Sequence, residues 1–459
     1  MVFSSLVFLF RFMPVFFLIY YLCPYRFKNL VLFLGSMVFY AFGEPKYTIL
    51  VICSAVVNFF LALFIEKFDS FFHRVERRVL LIVALFYDVG MLFVFKYTGF
   101  IIETINTLAD TDFIVPNIPL PLGISFYTFQ IMSYVIDVYR EKTEAETNIL
   151  NLGTYLVMFP QLIAGPIVTF SKVEKSLKRR KIRLISVENG FKEFTLGLGC
   201  KVILANSLGN VWTACLQAGF DGISTLFAWF GIAAYSLQLY FDFSGYSLMA
   251  IGLGRMLGFR FPRNFNHPYA SRSISEFWKR WHITLTSWFR EYIYIPLGGS
   301  RKGVLRTILN MLIVWLITGL WHGAAWNFVV WGLYYFVIIL IERLFLGRLI
   351  KNSVFFSRIY TLVIVMVGWV LFASPSLEEA LTFITTMFTL NPGTDFIEYV
   401  NDYWYFMALA VVFSSPFPAA WYRKHRNGLL AWVFLLAVFF ISVGLLVDSV
   451  YNPFLYFRF

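Results

Sequence analysis

A polytopic, all-α bundle of transmembrane helices is the fold class the sequence predicts, and three observations carry it. Mean hydropathy is +0.71. Only 14% of the 459 residues are charged, where soluble domains carry about 25%. Apolar runs follow one another at lengths near the roughly 20 residues that cross a bilayer core: Val2–Cys23, Tyr47–Phe64, Val79–Phe95, Leu196–Leu216 and Leu429–Val447. A lipid bilayer is thus the first partner implied. Membrane bundles grow as one unit, so residues 1–459 read as a single domain.

The net charge of +12 does not point to nucleic acid, because its Lys and Arg concentrate in loops between apolar runs, as in cytoplasmic loops of membrane proteins. Cys23, Cys53, Cys200 and Cys215 lie in or beside apolar stretches with no CxxC pair and read as packing residues. The N-terminus lacks a basic n-region and a small-residue cleavage site, so Val2–Cys23 is expected to be the first span.

Orientation follows from the basic residues. Residues 171–183 hold seven Lys or Arg against Glu174 alone, and 255–303 hold nine against two Glu; 342–358 and 423–426 are also net basic. Residues 99–118 and 374–402 contain no Lys or Arg, only acids such as Glu103, Asp110, Glu378 and Asp395. Basic loops belong inside the cell and the others outside, which places both termini outside.

This assignment makes parity demands. An odd number of crossings must join 99–118 to 171–183, yet two runs are present, Leu120–Val138 and Leu150–Phe170. An even number must join 171–183 to 255–303, yet three are read there. Two segments are therefore expected to be re-entrant, broken or interfacial, which at membrane depth requires protein or a water-filled cavity around them. Ile308–Leu340, between two inner loops, has 33 residues, short for two crossings. A hairpin bent at Gly319 and Gly323 is expected, with its tip near the far side. Within 255–303, Ile274, Phe277, Trp278, Trp281, Leu285, Trp288, Phe289 and Tyr292 recur at helical spacing opposite Ser275, Glu276, Lys279, Arg280, Thr284, Thr286 and Ser287. That pattern predicts an interfacial amphipathic helix, ended at Pro296.

Of five histidines, His73 and His425 sit in charged loops, while His322 is the only His, Lys, Arg, Asp or Glu between Arg306 and Glu342, in TGLWHGAAWN, Thr318–Asn327. Such a residue within an apolar hairpin is costly and marks function by default; a satisfied packing histidine is the competing reading. His282, in WKRWH, is the second candidate. An imidazole with pKa near 6.5 suits a general base toward a hydroxyl. No HExxH or His/Cys/carboxylate spacing indicates a metal, no GxSxG elbow supplies a serine nucleophile, and no Walker sequence indicates an ATP-driven pump. Gly252, Gly254 and Gly258 read as helix packing. Buried polar groups gather where parity fails: Asp242 and Ser244 in YFDFSGYS, Tyr240–Ser247, and Gln161 in FPQLIAGP, Phe159–Pro166. Helix kinks and interhelical hydrogen bonds compete with function there.

PLGISFYTFQ at Pro121–Gln130, FPQLIAGP, YFDFSGYS, FPRNFNHPY at Phe261–Tyr269, SISEFWKRWHITLTSWFREYIYIPLGG at Ser273–Gly299 and TGLWHGAAWN together resemble the bacterial membrane-bound O-acyltransferases, in the branch that O-acetylates alginate and other exopolysaccharides. The resemblance runs from about residue 29 to 345, with core motifs from about 119. It implies a helical bundle around a central funnel, His322 of the WHG motif as the catalytic residue and His282 of the RWH motif as the second functional histidine. Asp242, Ser244, Gln161, Trp278 and Asn327 are supporting candidates. It implies no tightly bound cofactor, an acyl thioester such as acetyl-CoA or an acyl carrier as donor, a polysaccharide acceptor and a separate extracytoplasmic SGNH-type partner. The teichoic-acid D-alanyltransferase branch shares the FDFSGYS-like and RWH signatures and stands as an alternative, as does a transporter or channel using His322 as a proton relay.

Overall fold

The computed structural model is all-helical among the residues it describes, which are 1–68, 72–163, 165–350, 352–448 and 455. Ala164 of FPQLIAGP and the residues after Asp448 on which the C-terminus's side depends lie outside these, Leu455 excepted. The helices are α1 Phe8–Leu22, α2 Lys28–Ala41, α3 Thr48–Lys67, α4 Arg74–Lys96, α5 Thr98–Ala109, α6 Ile124–Tyr139, α7 Ile149–Val157, α8 Phe159–Leu162, α9 Phe170–Lys178, α10 Leu184–Ala218, α11 Thr225–Met256, α12 Ile274–Arg280 and α13 Ile283–Phe289. They continue as α14 Val304–His322, α15 Trp326–Leu346, α16 Val354–Ala373, α17 Leu377–Phe388, α18 Phe396–Ser414, α19 Pro416–His425 and α20 Leu429–Asp448. Seven are long and apolar enough to cross a membrane among the described residues, or eight if α18 and α19, bent by 69°, form one broken span.

Four expectations need correction. The first run yields only the 15-residue α1: Ser5 Oγ turns back onto the Val2 carbonyl, and Pro24 follows the helix end. Between the basic loops 171–183 and 255–303 there are two long helices, not three runs. No proline interrupts YFDFSGYS, and α11 passes through it as one unbroken helix of 32 residues; of the two, α10 is the one long and apolar enough to cross a membrane. The helices of the His322 hairpin extend into their flanking loops, with 19 residues in α14 and 21 in α15, and each is long enough to cross. The bend falls at Gly323, one of the two glycines expected, while Gly319 stays helical inside α14. Finally, the amphipathic stretch is not one interfacial helix. It breaks at Trp281-His282 into α12 and α13, and Ile274, Phe277, Trp278, Trp281, Leu285, Trp288 and Phe289 are buried in protein. Aromatic rings at helical spacing packed against other rings rather than lipid. The expected break in Leu150–Phe170 is present: Met158 leaves helical backbone between α7 and α8, and residues 163 and 165–169 are not helical.

The chain forms two compact units, residues 1–194 with 249–262, and 195–248 with 263–459. In the first, Phe3, Phe8, Phe12, Phe16 and Phe39 surround Phe159 at ring separations of 5.1–6.3 Å. Arg180 fastens the basic loop to this core. Its Nε donates to Tyr20 Oη at 2.8 Å, its Nη1 to Asn29 Oδ1 at 2.6 Å, and its guanidinium lies 4.7 Å over Phe259. Gly252 acts as the packing residue expected, since a Cβ there would fall 2.4 Å from the Gly190 carbonyl oxygen.

The second unit is organised on the α14–α15 hairpin. A Cβ on Gly319 would lie 2.3 Å from the Phe328 carbonyl oxygen, and one on Gly332 2.5 Å from that of Trp315. The two backbones touch through these glycines, as small residues permit in membrane helix pairs. Gly319→Ala is therefore expected to cost about 1–3 kcal/mol by overpacking, read as a lower unfolding midpoint in detergent. Gly90→Ala in α4, where a Cβ meets nothing within 4 Å, should leave the midpoint unchanged or raise it.

Candidate active site

His322 is the last residue of α14 and only 4% exposed. The ring faces protein rather than lipid: Trp321 and Trp331 lie 5.0 Å from it and Phe372 5.3 Å, all edge-on. Phe372 is delivered by Asn327. In the first turn of α15, Asn327 Nδ2 donates to the Ser374 carbonyl at 3.1 Å and the Leu371 carbonyl at 3.4 Å, tying the end of α16 to the hairpin tip. Trp278 lies 5.5 Å from Trp331, within a cluster that includes Trp315 and Tyr335.

His282 occupies the break between α12 and α13 with left-handed backbone, φ 43°, and is 1% exposed. A non-glycine residue adopts that conformation only where its surroundings over-determine it, and Asn264 does so. The Asn264 carbonyl accepts from Ile283 N at 2.9 Å. Its side-chain Oδ1 accepts from Thr284 N at 3.3 Å and Thr284 Oγ1 at 3.0 Å and lies 3.1 Å from His282 Nδ1. Nδ2 of Asn264 donates to Ser247 Oγ at 3.2 Å. Because Thr284 N–H is a donor, the atom facing His282 is the amide oxygen, so Nδ1 carries the proton and Nε2 is the acceptor nitrogen. Burial pushes the His282 pKa down to about 3, which keeps the ring neutral.

Asn264→Leu should leave the Thr284 donors without their acceptor, at about 1–3 kcal/mol, and lower turnover roughly tenfold. Asn264→Asp, which keeps the acceptor, should restore most of both. Thermal unfolding beside initial rates tests this.

The two histidines meet on one side chain. Trp321 lies 6.1 Å from His282 and 5.0 Å from His322, and Phe243 covers His282 at 4.7 Å. Asp242 and Ser244 flank Phe243 on α11 and are buried. The Asp242 carboxylate receives Lys201 Nζ on Oδ1 and the Leu455 amide on Oδ2 at 2.9 Å. Gln161 belongs to the first unit, where its Nε2 donates to the Tyr155 carbonyl at 2.5 Å. Among the described residues no group of three or more His, Cys, Asp or Glu is placed to hold a metal ion.

Sequence reasoning did not single out Asn264, Trp321 or Glu342. Glu342 Oε1 accepts from Ile274 N at 2.6 Å, and Oε2 from Ser275 N at 3.0 Å and Ser275 Oγ at 2.8 Å. It thereby caps α12 from the end of the hairpin that carries His322. A carboxylate closing a long uncharged run was the available signal. Asn264 is one polar residue of FPRNFNHPY, and only tertiary structure gives it a partner.

A model of the membrane-bound O-acyltransferase family matches residues 39–376. The probable alginate O-acetylase of Azotobacter vinelandii is 41% identical over 86% of this chain and 79% of its own length, and that of Pseudomonas putida is 36% identical over the whole of both. The peptidoglycan O-acetyltransferase of Helicobacter pylori is 34% identical over 88% of this chain and 84% of its own. The teichoic acid D-alanyltransferase of Streptococcus thermophilus is more distant, 28% identical over 50% of this chain and 58% of its own. With this match, a helical membrane architecture and the WHG histidine buried at the tip of its hairpin, the chain belongs to the membrane-bound O-acyltransferase family and is an O-acyltransferase.

Proposed function

We propose that this protein carries an acetyl group from a thioester on the inner side of a bacterial plasma membrane to a polysaccharide hydroxyl on the outer side. The observation that carries it is His322, the one His, Lys, Arg, Asp or Glu between Arg306 and Glu342, buried in protein at the tip of an apolar hairpin, next to a second buried histidine on the same tryptophan. In the proposed step the hydroxyl oxygen attacks the thioester carbonyl carbon while His322 takes the hydroxyl proton. The carbon–sulfur bond then breaks, and the proton passes to the departing thiolate, giving an ester and a free thiol. Such proton transfer is worth about 10²–10⁴-fold. His282, with Nε2 as acceptor, would orient the hydroxyl.

The orientation rests on the charge asymmetry of the loops, which places both termini outside. The six basic residues of 171–183 other than the buried Arg180 would draw an anionic donor such as a CoA phosphate toward the inner face. No tightly bound cofactor is required. Acetyl is favoured over D-alanyl because the acetylating relatives match most of the chain, the D-alanylating ones about half. The chain carries the transmembrane step, and an extracytoplasmic SGNH-type partner would complete transfer to polymer.

Purified protein in lipid nanodiscs, given radiolabelled acetyl-CoA and a hydroxyl acceptor, should form labelled ester. Label taken up only from a D-alanyl carrier would favour the teichoic-acid reading. Ion or solute flux with no ester formed would favour a transporter.

A further inference from the structure

The first unit holds a charge that the transfer chemistry does not use. Asp88 is the only Asp, Glu, Lys, Arg or His between Arg78 and Lys96, in the middle of α4, a helix long and apolar enough to cross a membrane. Most of that helix is apolar and exposed, as at Ile82, Val83, Phe86 and Val89. Its buried stripe is Ala84, Asp88 and Leu92, one turn apart, and the helices it packs on are α3 and α6. Asp88 is 3% exposed. An ionisable side chain at such a position is costly and marks a site by default.

The neighbours satisfy one side of the carboxyl and leave the other bare. Asn58 Nδ2, from α3, donates to Asp88 Oδ1 at 2.8 Å and to the Ser54 carbonyl at 3.0 Å. These two bonds fix which end of the amide is nitrogen. Asp88 Oδ2, Asn58 Oδ1 and Tyr127 Oη of α6 are buried with no hydrogen-bond partner among the described residues. Tyr127 stands within the electrostatic field of Asp88. Among the described residues no Lys, Arg or His forms an ion pair with Asp88. Three helices thus each bring one bare oxygen to their common junction.

That donor set selects a ligand. A carboxylate in a low-dielectric interior needs a positive partner. A proton on Oδ2 would supply one donor hydrogen and satisfy one acceptor, whereas a metal cation satisfies several oxygens at once. Carboxylate, carboxamide and hydroxyl oxygens are hard ligands and suit a hard cation. With a single carboxylate, a divalent ion would leave net positive charge buried, and a monovalent ion leaves none.

We infer that Asp88 Oδ2, Asn58 Oδ1 and Tyr127 Oη bind a monovalent metal cation that ties α4 to α3 and α6. The site is independent of the acyl transfer, so its test needs no turnover. Purified protein in detergent is unfolded at fixed ionic strength while NaCl or KCl replaces choline chloride. An ion that binds only folded protein raises the folded-to-unfolded ratio in proportion to its concentration above Kd. A tenfold rise in Na⁺ or K⁺ should therefore raise that ratio about tenfold, with no such rise from choline. Asp88→Asn keeps the volume and an acceptor oxygen but removes the charge, and should lose the response. Tyr127→Phe should move the half-response to an ion concentration at least about tenfold higher, the loss of one bond to a charged group. Equal ratios in Na⁺, K⁺ and choline overturn the inference and leave Asp88 to a proton. An equal response in wild type and Asp88→Asn overturns it as a general salt effect. Should Asp88→Asn not be recovered folded, an unchanged half-response in Tyr127→Phe overturns it.

Discussion

His322→Ala should abolish ester formation, with turnover falling by at least about 10²-fold and up to 10⁴-fold, the range that a positioned general base supplies. The protein should remain folded. His322 is the last residue of α14, so the truncation falls at the helix end and not in its interior, and the rings around it are held from elsewhere. Trp331 is packed by Trp278 and Tyr335, and Phe372 is positioned through the bonds of Asn327 to Leu371 and Ser374. The truncation leaves a cavity between Trp321, Trp331 and Phe372, which should lower the unfolding midpoint modestly. His322→Gln fills more of that volume and offers polar atoms but cannot take up a proton, so it separates packing from chemistry. Both variants should be inactive, with the glutamine variant nearer wild type in stability. Turnover that survives in His322→Gln would remove the imidazole from the reaction, and turnover that falls only in proportion to folded protein would make the residue structural. A relay in a transporter would show the opposite signature, flux lost with no ester formed by the wild type.

The hairpin and its histidine were legible because they depend on signals that a linear sequence carries. One histidine interrupts a long run with no Lys, Arg, Asp or Glu, glycines flank it, and charged loops bracket it. The long helices α3, α4 and α20 were legible for the same reason. What the sequence hid were choices between two burial partners. An aromatic stripe at helical spacing, such as Ile274 to Tyr292, can face lipid or other rings, and periodicity does not distinguish them. Here Trp278 and Trp281 pack against Trp331 and Trp369. The break at His282 was hidden too. It exists because Asn264, eighteen residues earlier, satisfies the backbone and side-chain groups the break exposes, and a long-range hydrogen bond of that kind leaves no local pattern. Asp242 was read as an interruption between spans because a carboxylate looks incompatible with a continuous membrane helix. Its actual answer is a lysine on a neighbouring helix.

That lysine sets the second large effect. Lys201 and Asp242 are 5% and 1% exposed, on two long helices, and each is the other's charge partner. Removing one member of a buried pair strands the other, at about 3–5 kcal/mol, whereas replacing both with apolar residues of similar volume is often neutral or stabilising. Lys201→Met and Asp242→Leu alone should therefore each unfold the protein at markedly lower temperature or reduce its recovery from membranes. The double variant should regain most of the loss, since the part-buried Leu455 amide that donates to Asp242 can find water instead. The same cycle separates structure from chemistry. If the carboxylate is committed to Lys201, the double variant should transfer acyl groups within about tenfold of wild type. If instead it orients His322 or offsets charge in the transition state, the double variant would be stable yet depressed by the larger factor that a charge aimed at the reacting atoms supplies, about 10²–10³-fold. Circular dichroism melts in detergent and initial rates on the four proteins measure both quantities. Full stability with that larger loss would move Asp242 from the scaffold into the reacting site.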